Sequence, residues 1–287
     1  MDHKELPILE LRNLSKTYEL KGHRAVGALK AVHLELYPGE CLGIVGESGS
    51  GKSTLARCVT HLERVTSGQI CYRQQDITRL NGKALRSQRK RIQMVFQEPS
   101  AIFNPRMKIG AFIREPLINY KIMKGQQLEQ EVLRLLERVG LSAATAGKYP
   151  HELSGGEQQR AVIARAIGVR PDIILFDEAT SALDVSIQQQ ILDLLLELRK
   201  ETGISSIFIS HDLAVVQQVS DRIAVMYQGE VVEVVESSQL TNSTNHPYTR
   251  SLMASVLSVR EMKHKMKAQK QEEEQGRMGV LQESLSG

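Results

Sequence analysis

The chain predicts an α/β fold: a mainly parallel sheet, a smaller antiparallel layer beside it, and a helical insertion. Three observations lead there. Residues 41–45, 173–176 and 206–209 are short, mostly apolar runs, the pattern of strands buried on both faces. Such runs alternate with helical segments, which is how parallel strands are connected. Between residues 99 and 155 no clear strand occurs, while Leu128, Val132, Leu135, Leu136 and Val139 recur at helical spacing.

Taken in order, residues 8–14 and 31–36 alternate apolar with polar, as half-buried antiparallel strands do. Pro38-Gly39 marks a turn. The strand at 41–45 runs into a glycine-rich stretch, residues 46–51, and then a helix over 52–62. Strands are predicted at 69–73 and 92–96, and helices over 126–139 and about 156–169, the latter stopping before Pro171. The strands at 173–176 and 206–209 flank a helix over 187–200. A last pair, 222–226 and 231–235, turns at Gln228-Gly229. Beyond about residue 259 the chain becomes KHKMKAQKQEEEQ, a charge-dense tail expected as frayed helix or flexible chain.

Composition bounds the function. Hydrophobic residues are 41% and charged residues 24% of 287, as in a soluble globular protein with a sizeable core. The net charge of +4, from 37 basic and 33 acidic residues, argues for neither nucleic acid nor an anionic membrane surface. No apolar run approaches the roughly 20 residues of a membrane span. The first residues, MDHKELPILE, carry no basic-then-apolar signal pattern. Cys41, Cys58 and Cys71 are odd in number and lack CxxC spacing, so a reducing cytoplasm fits better than a disulfide framework or a zinc site.

Three segments carry chemistry. The first is GESGSGKST: Gly46, Glu47, Ser48, Gly49, Ser50, Gly51, Lys52, Ser53 and Thr54 match GxxxxGK[ST], with a strand before and a helix after. Glycines let backbone amides turn inward around phosphates, and the helix N-terminus adds partial positive charge. Lys52 suits the β/γ-phosphates and Ser53 suits Mg²⁺. The second is IILFDE, a buried strand ending in Asp177, placed for Mg²⁺, and Glu178, placed to orient and deprotonate water. The third is LSGGEQQR, where Ser154, Gly155 and Gly156 open a helix and form a second anion site. Ser154 with Glu157 also reads as a capping box, which accounts for the serine but not for the paired glycines.

LSGGEQQR resembles the signature sequence of ATP-binding cassette (ABC) ATPases. The resemblance implies a phosphate-loop NTPase with a RecA-like core, an antiparallel β subdomain and an inserted α-helical subdomain. It places the cassette at residues 1–258, with the helical subdomain at about 98–165 and the tail at 259–287. Further motifs then fall in the family's order. Tyr18, in SKTY, matches the aromatic residue that stacks on adenine. Gln97, in MVFQEP, matches the glutamine that senses Mg²⁺ and the attacking water. SALD, residues 181–184, matches the loop at the dimer interface, and His211, in FISHD, the switch histidine near the γ-phosphate. No catalytic position departs from the pattern, which implies a competent Mg-ATP hydrolase.

Residues 97–116, with their NPR and REP elements, and HPYTRSLMASV, residues 246–256, resemble ATPases of the peptide/nickel importer group. The implied setting is peripheral, on the cytoplasmic face of the cell membrane. The implied partners are a second cassette, identical or paralogous, two transmembrane permease subunits and an extracytoplasmic solute-binding protein. An exporter ATPase and a non-transport cassette are the alternatives. The first is disfavoured by the NPR and HPYT elements. The second is disfavoured by the single cassette and by the absence of sustained heptads between Lys52 and Ser154. The segment following Gln97, with an exposed turn at Asn104-Pro105-Arg106 and an apolar stretch at 109–113, is the expected contact with the permease.

Overall fold

The structure, a computed structural model, describes residues 6–20, 24–240 and 244–254. The charged tail expected at 259–287 lies outside the described residues.

Five strands run parallel in one sheet: β3 (Cys41–Val45), β6 (Ile92–Val95), β7 (Ile173–Asp177), β8 (Ser205–Ile209) and β9 (Arg222–Tyr227). A sixth, β10 (Glu230–Glu236), returns antiparallel from β9, giving the order β10-β9-β3-β8-β7-β6. Their connecting turn uses positive φ at both Gln228 (48°) and Gly229 (88°), the geometry that matches hairpin twist. In β3, β7 and β8 every residue is buried. Successive side chains enter opposite cores, as the pleat demands. Leu42, Ile44, Leu175, Ile207 and Ile209 pack on one side; Cys41, Val45, Ile174, Phe176 and Phe208 pack on the other.

The first core is closed by α1 (Lys52–Val59) and by a separate antiparallel sheet of order β2-β1-β4-β5. That sheet comprises β1 (Leu9–Leu20), β2 (Arg24–Leu36), β4 (Ser67–Tyr72) and β5 (Gln75–Asp76). β1 and β2 are far longer than their alternation predicts. Irregular pairing between Leu11 and Thr17, with positive φ at Asn13 and Ala31, shifts the side chains between faces and breaks the period of two.

The second core is closed by α3 (Ile109–Asn119), α4 (Gln126–Arg138), α5 (Gly155–Gly168), α6 (Val185–Thr202) and α7 (Leu213–Val219). The REP element is structural: Arg114 pairs with Glu129 on α4, Glu115 pairs with Arg165 on α5 at 2.9 Å, and Pro116 is buried inside α3. The apolar stretch at 109–113, expected to flank the permease contact, is itself interior. Ile109 and Ile113 are fully buried and Phe112 packs against Phe103 at 4.4 Å, so this stretch holds its own helices together. The turn at Asn104, Pro105 and Arg106 is exposed, with Arg106 N–H donating to the Asn104 side chain at 3.0 Å.

α2 (Gly82–Arg91) and α7, with the helix at residues 247–254, escaped the sequence pattern. α2 buries only Gln88 and so carries no apolar stripe. Residues 247–254 are helical, opening with Pro247, which suits a first helical position. All three cysteines are free and buried. Among the described residues no helix is long and apolar enough to cross a membrane.

Candidate active site

The site forms where parallel strands end. β3 delivers the loop at residues 46–51, β7 delivers Asp177 and Glu178, β8 delivers His211 two residues past its end, and β6 delivers Gln97. Carboxyl ends of parallel strands are where such sheets bind ligands.

The loop is tightly seated. A Cβ on Gly46 would lie 2.1 Å from the Met226 carbonyl oxygen, and one on Gly51, at φ 106°, would lie 2.5 Å from that of Ala28. Neither space nor backbone conformation there admits another residue. Lys52 is buried and curls into its own loop, donating to the Gly46 and Glu47 carbonyl oxygens at 2.7 and 2.8 Å and reaching the Ser50 hydroxyl at 3.4 Å. Burial pushes its ammonium below the ordinary value, while Glu178, Asp177 and Glu47 pull the other way. Glu47, Ser48 and Gly49 are exposed; Ser53 and Thr54 are half-buried on the first turn of α1.

Ser53 Oγ donates to Asp177 Oδ1 at 2.9 Å. Burial raises the Asp177 carboxyl above its usual range, with Glu178 adding to the effect; the Ser53 bond, Arg57 and Lys52 oppose it. Glu178 takes a left-handed backbone conformation, φ 49°, fixed by its N–H to the Ile209 carbonyl at 3.0 Å. A non-glycine residue held at positive φ is strained, and such strain concentrates at working sites. One carboxylate oxygen, Glu178 Oε2, lies 3.3 Å from both Gln97 Nε2 and His211 Nδ1. Gln97 also reaches the Ser181 hydroxyl at 3.3 Å, and that hydroxyl donates to the Glu178 carbonyl at 2.9 Å.

Ser154, Gly155 and Gly156 stand apart. Among the described residues no hydrogen bond joins them to the phosphate loop. Ser154 and Glu157 form a capping box, with Glu157 Oε2 accepting from the Ser154 backbone at 2.9 Å. Gly155 is exposed and, with Gln97 and Leu183, lines a cavity of about 190 Å³. Tyr18 is half-buried on β1, with the Lys16 ammonium 4.7 Å over its ring. It pairs with Val26 on β2, close along the strand to the Ala28 carbonyl that abuts Gly51.

This arrangement, a phosphate-loop lysine facing a strand-end carboxylate pair with a separate Ser-Gly-Gly helix start, matches a known family. The profile of the family described as ABC transporter fits residues 29–181. The chain belongs to the ABC transporter family. Over 256 residues this cassette is 46% identical to the oligopeptide transport ATP-binding protein AppF of Bacillus subtilis, covering 87% of this chain and 78% of that protein. It is 45% identical, again over 87% of its length, to the glutathione import ATP-binding protein GsiA of Pectobacterium atrosepticum. It spans only 41% of GsiA. Among solved structures it superposes on the dimeric post-hydrolysis cassette MJ0796 bound to ADP and Pi with a TM-score of 0.73 at 33% identity, over 80% of this chain and 98% of that one. The cbiO1 cassette of Clostridium perfringens, part of the cbiONQ transporter complex, superposes with a TM-score of 0.74 at 26% identity, over 92% and 100%. The cassette fold expected from the motifs is the fold observed.

Sequence reasoning missed one contact of the loop. The Glu47 N–H donates to the Tyr248 hydroxyl at 3.0 Å. Tyr248 sits in the HPYT element, whose sequence carries only a resemblance to the importer group. No local signal ties that element to a loop 201 residues earlier.

Proposed function

We propose that this cassette binds and hydrolyses Mg-ATP and so drives peptide import through partner permease subunits. The observation that carries the reading is the meeting of Gln97, His211 and Glu178 at one carboxylate oxygen, beside a loop that already holds Lys52 and Ser53. Gly46 to Thr54 cradle the phosphates, with Lys52 exchanging its two loop carbonyls for β/γ-phosphate oxygens. Tyr18 stacks on adenine. Glu178 takes the proton of the attacking water, Gln97 orients that water, and His211 faces the γ-phosphate.

The residues present suit Mg²⁺. Among the described residues no cluster of three or more His, Cys, Asp or Glu side chains could hold a metal by itself. Ser53 and Asp177 supply a pair of hard oxygens, with Gln97 nearby, and Mg²⁺ ordinarily completes such a shell with phosphate and water. When bound, it neutralises charge on the phosphates.

Ser154, Gly155 and Gly156 complete the site of a second cassette, and residues 181–184 cross the interface. The exposure of Ser154 and Gly155 supports this, as does their lack of a partner on their own phosphate loop. Closure of two cassettes then excludes water and fixes the reacting groups, which is most of what phosphoryl transfer requires. Loss of the bridging γ-phosphate removes the preference for the closed state. The exposed Asn104-Pro105-Arg106 turn contacts the permease at the cytoplasmic membrane face, and a solute-binding protein presents the cargo. The named relatives, one for oligopeptides and one for glutathione, favour peptides over nickel. Residues 1–258 act as the cassette, its helical subdomain at about 98–165, and 259–287 as an appended tail.

The decisive experiment measures phosphate release by the purified chain with and without Mg²⁺, then by the Glu178→Gln variant. Undiminished hydrolysis by the variant would remove Glu178 from its role. Peptide-stimulated turnover in the assembled transporter tests the import half.

A further inference from the structure

The HPYT element has so far no part in the site, yet it ends on the phosphate loop. Its seat is built in three steps. Glu233 on β10 accepts the Asn245 and His246 N–H groups at 2.7 and 3.4 Å. His246 Nδ1 accepts the Tyr248 N–H at 3.2 Å, and Pro247 starts the helix with φ already set. The Tyr248 ring then packs on Tyr227 of β9, centroids 4.2 Å apart, which aims its hydroxyl at the Glu47 N–H.

The Glu47 backbone is thereby held on both sides of its Cα. Its N–H goes to Tyr248 at 3.0 Å, and its carbonyl accepts from Lys52 Nζ at 2.8 Å. The same β9–β10 hairpin braces the loop again through the Gly229 N–H, which donates to the Ser50 carbonyl at 3.0 Å. Glu47, Ser48 and Gly49 are exposed; Gly46 is seated against Met226 and the Ser50 N–H donates to the Glu47 carbonyl at 3.2 Å, while the Tyr248 bond ties this exposed stretch to a helix outside the loop. A glycine-rich loop that is not braced loses conformational freedom when it closes on phosphate, and that loss weakens binding.

We propose that Tyr248 is a positioning residue for ATP binding: its hydroxyl holds the Glu47 backbone, and with it the exposed entry of the loop, in the conformation that cradles the phosphates. The helix at 247–254 thus sets nucleotide affinity from outside the site. The proposal rests on the ATPase reading above.

The test uses the full chain and titration calorimetry with Mg-ATP, alongside thermal denaturation and steady-state kinetics. Tyr248→Phe keeps the ring on Tyr227 and removes only the hydroxyl. We expect its Kd and KM for ATP to rise about threefold to tenfold, the scale of one neutral hydrogen bond, with kcat within about twofold of wild type and Tm unchanged. Tyr248→Leu removes ring and hydroxyl together, and should raise Kd at least as far while lowering Tm. If wild type binds Mg-ATP and Tyr248→Phe binds it equally well, the positioning role is wrong and the ATPase reading survives. If Tyr248→Phe loses as much Tm as Tyr248→Leu, the tyrosine is packing alone and the proposal is likewise overturned. Failure of the wild-type chain to bind Mg-ATP takes down both.

Discussion

Ser53 Oγ lies 2.9 Å from Asp177 Oδ1, although 124 residues separate them in the chain. This bond joins the helix after the phosphate loop to the end of β7, and it holds a carboxylate in a place where burial disfavours its charge. Folding raises the Asp177 carboxyl above its unfolded value, so its cost is absent well below the unfolded value of about 4, where both states are protonated, grows as pH rises from there, and is complete above the raised folded value. Asp177→Asn should therefore raise the Tm of the nucleotide-free protein at pH 7, with the gain shrinking as pH falls through about 4 and gone below about pH 3. The same variant should lose Mg-dependent hydrolysis. Equal melting of variant and wild type across that pH range would contradict a burial cost at this carboxylate.

Glu178→Gln leaves shape nearly unchanged, and the backbone at φ 49° accepts either residue at similar cost. ATP binding should persist while steady-state hydrolysis falls by about 100-fold or more, the scale of a general base. With Mg-ATP the variant should accumulate as a closed dimer, visible by light scattering.

Lys52→Ala removes the cation that bonds the Gly46 and Glu47 carbonyls. A charge-assisted bond contributes more than a neutral one, so ATP affinity should drop roughly tenfold to a hundredfold. Calorimetry showing wild-type affinity would dismiss Lys52 as a phosphate ligand.

The two signature glycines should separate fold from function. A Cβ on Gly156 would lie 2.5 Å from Ile187 Cγ2, so Gly156→Ala should cost about 1–3 kcal/mol of stability through overpacking between α5 and α6. Gly155 has only Leu183 Cδ2, at 3.7 Å, in its way. Gly155→Asp should fold and bind ATP as a monomer, yet fail to dimerise with ATP, since its charge would face the partner's γ-phosphate. A normal ATP-driven dimer would refute completion of the site in trans.

Arg106→Glu reverses an exposed charge in a turn held by the Asn104 side chain, and should leave the fold and the ATPase activity of the isolated chain intact. Assembly with the permease, or stimulation of hydrolysis by loaded binding protein, should be lost. Unchanged assembly and stimulation would move the coupling surface elsewhere.

The sequence alone determined the parallel core, the glycine-rich loop and the acidic strand end. Each is a local pattern with a local cause: a strand buried on both faces must be apolar throughout, and amides can wrap a phosphate only where glycines recur at fixed spacing. It also determined the start of α5, because the Ser154–Glu157 cap is formed within one turn. The tertiary structure decided what meets what. Gln97 and His211 reach Glu178 across 81 and 33 residues, through the strand order β8-β7-β6, which no local period encodes. Ile109 and Ile113 read in sequence only as an apolar stretch, and their place in the core was decided by the packing of α3 against α4 and α5. α2 formed without an apolar stripe, and β1 ran on past the bulges that hid its alternation. Tyr248 joined the phosphate loop only because Glu233 and Tyr227 on the β9–β10 hairpin seat its helix there. Contacts between distant residues depend on which elements pack together, and that is settled by the burial of the whole chain, not by any one stretch of it.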